Sequence, residues 1–184
     1  MKINLILLAA GNSRRFGSNK LLYQLNGRPM FEHIIDEINQ MEPGILAEKI
    51  VVTQYEEVKE YARNAGYQVV INPDSSRGIS SSIHLGLEQG RADAYLFVVA
   101  DQPYLKKETI LGLLECFVRS EKKMASVISN ETAGNPTIFD DHYRLALLQL
   151  AGDQGGRAIM KRVPDDVVYY LVEDKKELID IDTR

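Results

Sequence analysis

Cysteine is nearly absent from this sequence, which has 184 residues and one cysteine, Cys116. A single cysteine excludes an internal disulfide and suits a reducing compartment, so we expect a cytoplasmic protein. The sequence also lacks any recognisable Ser-His-Asp or Cys-His arrangement, although it contains three histidines. An activated side-chain nucleophile is therefore not indicated.

An excess of basic residues and long apolar runs are also missing. Lys and Arg number 22 against 26 Asp and Glu, which gives a net charge of −4 and argues against a nucleic-acid partner. No apolar run approaches the roughly 18 residues of a membrane span. No signal peptide precedes Ile3, so we expect no membrane partner. The length and the 45% apolar content predict one domain over residues 1–184.

Predicted strands and helices alternate along most of the chain, which is typical of an α/β protein with a mainly parallel sheet. Short apolar runs predict strands at 3–8, 47–53, 67–71, 95–100, 125–129 and 167–172. Residues 21–25 are predicted to be extended. Helical spacing of apolar residues predicts helices at 30–41, 55–65, 106–119 and 141–150, with another helix opened by a run of three serines.

A basic, glycine-containing loop follows the first predicted strand. Gly11, Gly17, Arg14, Arg15 and Lys20 occur within ten residues. Glycines let backbone N–H groups approach an anion, and the three cations supply the charge that a polyphosphate requires. Because ligands bind at the carboxyl ends of parallel strands, this loop predicts a nucleotide site, with an ordinary basic turn as the alternative.

The spacing of this loop matches neither common nucleotide motif. Five residues separate Gly11 from Gly17, one more than a Walker loop has, and Asn12-Ser13 occupy the place of the second glycine of a dinucleotide fingerprint. The pattern L-A-A-G-x-S-x-R-x-G-x-x-K instead resembles the signature loop of nucleotidyltransferases with a Rossmann-like GT-A fold. The resemblance implies a three-layer α/β/α fold with a mixed, mostly parallel sheet, like that of nucleotide-diphospho-sugar transferases. It also implies nucleotide contacts by Leu8, Ala9, Ala10, Gly11, Ser13, Arg14 and Lys20, with Arg15 and Lys20 holding the triphosphate during catalysis.

A second candidate segment is the serine run Ser80, Ser81 and Ser82. Serines that open a helix provide capping hydroxyls and stand beside unpaired N–H groups, so a well-capped helix is the plain interpretation. The surrounding G-x-S-S-S-[IL]-x-x-G-[LI] pattern is similar to the second nucleotide-contacting segment of the same family. The resemblance therefore implies that the three serines lie near the base and ribose.

Asp101 directly follows the apolar run at 95–100, which predicts a central strand. Its carboxylate would then stand at the edge where the loop of Gly11 emerges. A carboxylate and a triphosphate at one edge suggest a divalent cation between them, and an oxygen-only site suits Mg²⁺. The alternative is an aspartate that begins a turn before Pro103.

Several later residues are assigned to an acceptor by resemblance alone. Asn135 and Pro136 belong to a G-N-P-x-x-F segment that is similar to the family's segment beside the second substrate. Gln102 and Pro103 of the D-Q-P motif are assigned to the same substrate. Arg157 ends a string similar to L-x-G-D-x-G-x-R, found in relatives that act on the molybdenum cofactor. Arg157 would hold an anionic acceptor or would pair with Asp153.

The chain closes on a D-I-D-T segment similar to the family's terminal D-x-D-T. This resemblance assigns Asp182 as the second metal ligand beside Asp101, with Asp180 less favoured, whereas a solvated acidic tail is the plain alternative. Relatives usually continue with Pro-Glu-Asp and a short helix, while this sequence ends at Arg184. We therefore expect the second ligand to lie on a weakly fixed end.

Taken together, these motifs most resemble the cytidylyltransferases that act on the molybdenum cofactor. The resemblance implies transfer of CMP from CTP to the phosphate of molybdopterin, release of pyrophosphate, dependence on Mg²⁺, and a molybdoenzyme or chaperone as a partner. An acceptor phosphate is already a nucleophile, so catalysis would need positioning and charge neutralisation. The alternatives are a guanylyltransferase, a sugar-1-phosphate nucleotidyltransferase, and a non-catalytic chaperone that binds a pterin or nucleotide.

Overall fold

Strands and helices alternate along most of this computed structural model, which describes residues 1–12 and 19–181. The strands are β1 (Ile3–Ala9), β2 (Gln24–Leu25), β3 (Arg28–Pro29), β4 (Glu48–Thr53), β5 (Gln68–Ile71), β6 (Ala94–Val99), β7 (Met124–Ser129), β8 (Thr132–Asp140) and β9 (Val167–Leu171). The α-helices are α1 (Met30–Asn39), α2 (Glu56–Asn64), α3 (Ile79–Leu87), α4 (Lys107–Arg119), α5 (Arg144–Leu148) and α6 (Arg157–Arg162). Among the described residues, no helix is long and apolar enough to cross a membrane.

Seven of the strands form a central sheet in the order β5-β4-β1-β6-β8-β7-β9. Every neighbouring pair is parallel except the two pairs that β8 makes, with β6 and with β7. The predicted mixed, mostly parallel sheet is therefore confirmed. The remaining strands, β2 and β3, pair with each other in a small hairpin.

Two apolar layers pack against the two faces of the sheet. Successive side chains of a strand point to opposite faces, so Leu5 and Leu7 of β1 join the layer of α1, α2 and α4. Ile6, between them, joins the layer of α3, α5 and α6. Burial of β1 on both faces explains why its sequence is apolar at every position except Asn4, without alternation. The predicted three-layer α/β/α architecture is confirmed.

Two short segments differ from their predicted conformation. The segment at 21–25 begins as a 3₁₀ turn, Lys20–Leu22, because the side chain of Asn19 accepts a hydrogen bond from the Leu21 N–H (3.1 Å). The helix expected at 141–150 is divided into a 3₁₀ turn, Asp141–Tyr143, and the shorter α5. A local cap or turn was enough in each case to override the apolar pattern.

The carboxyl ends of β1, β4, β5 and β6 meet at one edge of the sheet, because these four strands are parallel neighbours. The loops that follow them begin at Ala10, Gln54, Asn72 and Ala100. Strand β8 is antiparallel, so its first residues reach the same edge. This edge therefore collects the segments in which most of the predicted site residues lie.

Candidate active site

Lys20 and Asp101 form an ion pair at this edge. The Lys20 Nζ lies 2.6 Å from the Asp101 Oδ2, although the two residues are 81 positions apart. The two side chains are only 12% and 22% exposed. A short, largely buried pair is screened less by solvent than a surface pair. The predicted triphosphate-binding lysine and the predicted metal carboxylate therefore occupy one location.

The end of β1 and the first residues of the basic loop are held by the end of β4 and the loop that follows it. Three consecutive backbone carbonyls accept hydrogen bonds from side chains. The Ala9 carbonyl accepts one from the Thr53 hydroxyl (3.0 Å), and the Ala10 carbonyl accepts one from the Gln54 amide (2.8 Å). The Gly11 carbonyl accepts one from the Tyr55 hydroxyl (2.6 Å). In a trans peptide the N–H points away from the preceding carbonyl. Three consecutive peptides thus direct their N–H groups away from the β4 side of the loop, an arrangement suited to binding an anion.

Asn12 connects the same loop to the segment that follows β5. Its Oδ1 accepts from the Gln54 Nε2 (2.9 Å) and from the Ser75 hydroxyl (2.7 Å). Two neighbouring loops therefore share one side chain. This bridge fixes the spacing between the predicted triphosphate loop and the segment that leads to the serine run.

The serine run lies at the start of α3, as predicted. Asn72, which is 2% exposed, donates from its Nδ2 to the hydroxyls of Ser81 and Ser82, both at 2.9 Å. Ser81 also donates to the Gly78 carbonyl (2.8 Å), and the Ser80 N–H donates to the Gly152 carbonyl (3.2 Å). The serines are thus positioned by the protein itself, and their contact with a nucleotide stays a prediction.

A pocket of about 380 Å³ lies beside α3 and α6. It contains two predicted acceptor residues, Asn135 and Arg157, and one predicted nucleotide residue, Leu8. Its apolar lining includes Leu8, Ile79, Ile83, Phe97 and Leu147, and its polar lining residues are Asn135, Thr137, Asp153, Gln154, Arg157 and Lys161. Such a pocket suits a flat, apolar ring that carries an anionic group.

Three residues in or beside this pocket bear on the predictions. Pro136, the neighbour of Asn135 in β8, is buried. Arg157 is exposed at the start of α6, and the ion pairs among residues 1–12 and 19–181 do not include the alternative pair with Asp153. Gly156 packs against the ring of Phe139 so closely that a Cβ atom would lie 2.4 Å from it. A side chain at position 156 would therefore disturb the turn that carries Arg157.

Gln102 and Pro103 are both buried next to Asp101. The Gln102 Nε2 donates to the Asp180 Oδ1 at 2.8 Å. The Ile181 N–H donates to the Asp101 carbonyl at 3.2 Å. The structure thus places Gln102 against the end of the chain, and its predicted contact with an acceptor stays a prediction. The same contacts bring the segment before Asp182 to the edge that carries Asp101.

Four of the predicted site residues lie outside the described residues: Ser13, Arg14, Arg15 and Asp182. Their assignment therefore stays a prediction. Three residues that hold the loop at this site were not predicted from the sequence: Thr53, Gln54 and Tyr55. The signal that would have found them is their position, since polar residues that end a buried parallel strand or directly follow it belong to the ligand edge of the sheet.

The described residues fit a shared cation better than a complete protein-only metal site. Within them, no group of three or more His, Cys, Asp or Glu is arranged to hold a metal ion. Mg²⁺ needs only one or two carboxylates when phosphate oxygens and water complete its coordination. Asp101, at the end of a central strand and beside a cationic loop, has the oxygen chemistry that such a shared ion requires.

Comparison with known proteins agrees with this geometry. A family model described as a MobA-like NTP transferase domain matches residues 5–167. A protein of Pyrococcus horikoshii, called a probable molybdenum cofactor guanylyltransferase, is 32% identical over 122 residues, which are 66% of this chain. The alignment spans 60% of that relative's own length.

Solved structures show the same fold. The crystal structure of Rv0371c from Mycobacterium tuberculosis superposes with a TM-score of 0.82 at 22% identity, and the match covers 100% of this chain and 94% of that one. A second structure of that protein, described as a complex with manganese, gives a TM-score of 0.68 at 20% identity, with 94% of this chain and 89% of that one covered. At these identities the likeness concerns the fold.

Proposed function

We propose, from the premise that this chain belongs to the family of MobA-like NTP transferase domains, that it transfers a nucleoside monophosphate to the phosphate of molybdopterin or a closely related acceptor. The observation that carries the proposal is the Lys20–Asp101 pair beside the loop at Ala10–Asn12. Cation, carboxylate and directed backbone N–H groups then lie at one edge, where a triphosphate would bind.

The chemistry needs no activated side chain. An oxygen of the acceptor phosphate attacks the α-phosphorus of the nucleoside triphosphate and forms a new P–O bond. The bond between the α-phosphorus and its bridging oxygen to the β-phosphate breaks, and pyrophosphate leaves with the electron pair. Lys20 and the loop N–H groups neutralise and orient the phosphates, which is where most of the rate enhancement of such reactions arises.

Asp101 is the proposed metal carboxylate, with Asp182 as the second ligand and Asp180 less favoured. A bound Mg²⁺ would polarise the phosphates and offset charge that develops on them. The carboxylate of Asp101 also has a second role, because it accepts a hydrogen bond from the Lys20 ammonium and so orients it. The proposal therefore assigns to one aspartate both the cation and the positioning of the lysine.

The acceptor is proposed to bind in the pocket of about 380 Å³. Its apolar wall suits a heterocycle, and Arg157 at its rim would pair with an anionic group of the acceptor. Asn135 lines the same pocket and offers an amide for hydrogen bonds. A molybdoenzyme or a chaperone is the proposed recipient of the product.

The proposed nucleotide is CTP. The reason from sequence is Ala10, because relatives that use GTP tend to have a second glycine at this position. Ala10 is 4% exposed, so its methyl group occupies space inside the loop. One methyl discriminates by only about 1–3 kcal/mol. GTP is the second candidate, and the name of the Pyrococcus horikoshii relative favours it.

An assay of pyrophosphate release tests the function and the base together. Each of the four nucleoside triphosphates is offered with molybdopterin, with a sugar 1-phosphate, and without an acceptor. We expect release with CTP and molybdopterin, with a specificity constant about 10- to 200-fold above that for GTP. Faster release with GTP would reassign the base. Release only with the sugar phosphate would reassign the acceptor, and tight binding without release would indicate a carrier.

Replacing Lys20 by alanine should weaken binding of the triphosphate and leave the fold intact. The loss of a charge-assisted contact to phosphate is expected to cost about 1.5–3 kcal/mol of binding free energy, measured by titration calorimetry with CTP. Arg15→Ala should behave in the same way. Lys123→Ala is a matched control, since Lys123 pairs with Asp140 at 3.7 Å at the opposite edge of the sheet. Equal affinities for wild type, Lys20→Ala and Arg15→Ala would remove the loop from the site.

A further inference from the structure

The segment 174–181, called here the C-terminal strap, lies along the loop that joins β6 to α4. Near its end, the Ile181 N–H binds the Asp101 carbonyl (3.2 Å). The side chain of Asp180 accepts from the Gln102 amide (2.8 Å). The Gln102 amide also lies 3.5 Å from the Leu178 carbonyl. The strap therefore fixes the backbone and the nearest neighbour of the proposed metal carboxylate.

Glu177 attaches the middle of the strap to the start of α4. This carboxylate is buried at 6% exposure, and its Oε2 accepts from the Thr109 hydroxyl (2.6 Å) and the Lys106 N–H (3.1 Å). Lys106 occupies the N-cap of α4, where the helix has no side-chain acceptor of its own. Glu177 therefore provides, from 71 residues away, a hydrogen-bond acceptor for the Lys106 N–H at the helix end.

The strap is thus attached at both ends of the loop that carries Asp101. One attachment is at Asp101 and Gln102, and the other is at Lys106 and Thr109. A buried carboxylate is costly unless its hydrogen bonds are made, and release of the strap would also leave the Lys106 N–H without this acceptor. The position of the strap and the geometry of the loop are consequently coupled.

We propose that Glu177 is a positioning residue for the divalent cation: by fixing the strap on the β6–α4 loop, it holds Asp101 in the geometry that binds the metal. This inference rests on the proposed function, in which Asp101 is a metal ligand. Glu177 itself touches neither the nucleotide nor the ion in this scheme. Its effect passes through the strap to the backbone of Asp101.

The alternative is that Glu177 only stabilises α4, and the structure contains a control for it. The Glu37 Oε1, on α1, accepts from the Lys107 N–H at 2.9 Å. Glu37 and Glu177 therefore bind neighbouring N–H groups at the start of the same helix. Only Glu177 belongs to the strap. Comparing substitutions at Glu37 and Glu177 therefore distinguishes stabilisation of the helix from positioning of the strap.

The experiment compares Glu177→Ala and Glu37→Ala in the full-length protein. The affinity for Mn²⁺ is measured by electron paramagnetic resonance in the presence of a non-hydrolysable CTP analogue. Amide hydrogen exchange of the strap and the melting temperature are measured on the same samples. Both variants should lower the melting temperature. Glu177→Ala should weaken Mn²⁺ binding about tenfold, equivalent to about 1.4 kcal/mol, and accelerate exchange at the strap, while Glu37→Ala leaves both unchanged.

Three outcomes decide the inference. In the first, the wild type binds Mn²⁺ and releases pyrophosphate, and Glu177→Ala binds Mn²⁺ with unchanged affinity. This result overturns the role of Glu177 and leaves the proposed function standing. Equal weakening in both variants shows that only the stability of α4 matters, and it also overturns the inference. A wild type that binds no Mn²⁺ overturns the proposed metal site as well. If Glu177→Ala does not fold, Glu177→Gln keeps the oxygen but loses the charge, and a smaller shift in the same direction is expected.

Discussion

Asp101→Asn is expected to lower the rate of pyrophosphate release roughly 100- to 1,000-fold at saturating nucleotide, as removal of a charged or polar group that stabilises a transition state usually does. The substitution keeps the size of the side chain and removes its negative charge. The charge has two partners in the proposed mechanism: the divalent cation and the Lys20 ammonium, which lies 2.6 Å away. Both effects act on the phosphates, so the loss should be mainly in kcat.

Asp140→Asn is the control for this experiment. Asp140 also pairs with a lysine, Lys123, but at the opposite edge of the sheet. We expect this variant to keep nearly the full rate. Circular dichroism and the melting temperature should show that both variants are folded. An Asp101→Asn protein with the rate and Mg²⁺ dependence of the wild type would show that Asp101 serves only the ion pair with Lys20.

Removal of residues 182–184 is expected to produce a folded protein that has lost most of its activity. The prediction rests on the course of the chain, since the Ile181 N–H binds the carbonyl of Asp101. The following residue is Asp182, the proposed second ligand. Terminal residues rarely contribute to core packing, so the melting temperature should change little while the rate of pyrophosphate release falls about as much as in Asp101→Asn.

Truncation creates a new carboxylate at Ile181, so two further variants are needed. Asp182→Ala removes the proposed ligand without a new chain end and should lose the same activity. Removal of 183–184 alone keeps Asp182 and should leave the rate unchanged. Full Mg²⁺-dependent activity in Asp182→Ala would identify Asp182 as a solvated residue and would leave Asp180 as the ligand to test next.

Most of the fold was predictable because its signals are local. The run Ile3–Ala9 is apolar except for Asn4, and the structure makes it β1, buried on both faces. The repeated order of strand, helix and strand predicts parallel pairing, since a parallel neighbour requires a crossover connection. The 3₁₀ turn Lys20–Leu22 was not predicted, because a single side-chain cap outweighed the short apolar pattern at 21–25.

The proposed site was predictable only as a location. Parallel strands end at one edge, so the sequence places Lys20 and Asp101 in the same region. The sequence did not indicate that these side chains pair directly, or that Thr53, Gln54 and Tyr55 hold the loop carbonyls. Those contacts depend on the register between strands and on side-chain orientations, which a single sequence does not specify.

The class of fold, the family and the edge at which the chemistry is proposed all followed from the sequence, since each depends on local patterns and motif order. The partners of the buried polar groups became known from the three-dimensional structure alone. Gln102 was assigned to an acceptor by resemblance, but its amide donates a hydrogen bond to Asp180, 78 residues later. Glu177 caps a helix that begins 70 residues earlier in the sequence, at Lys107. Buried polar groups take whichever partner the packing brings within hydrogen-bond distance, and packing is a property of the whole fold.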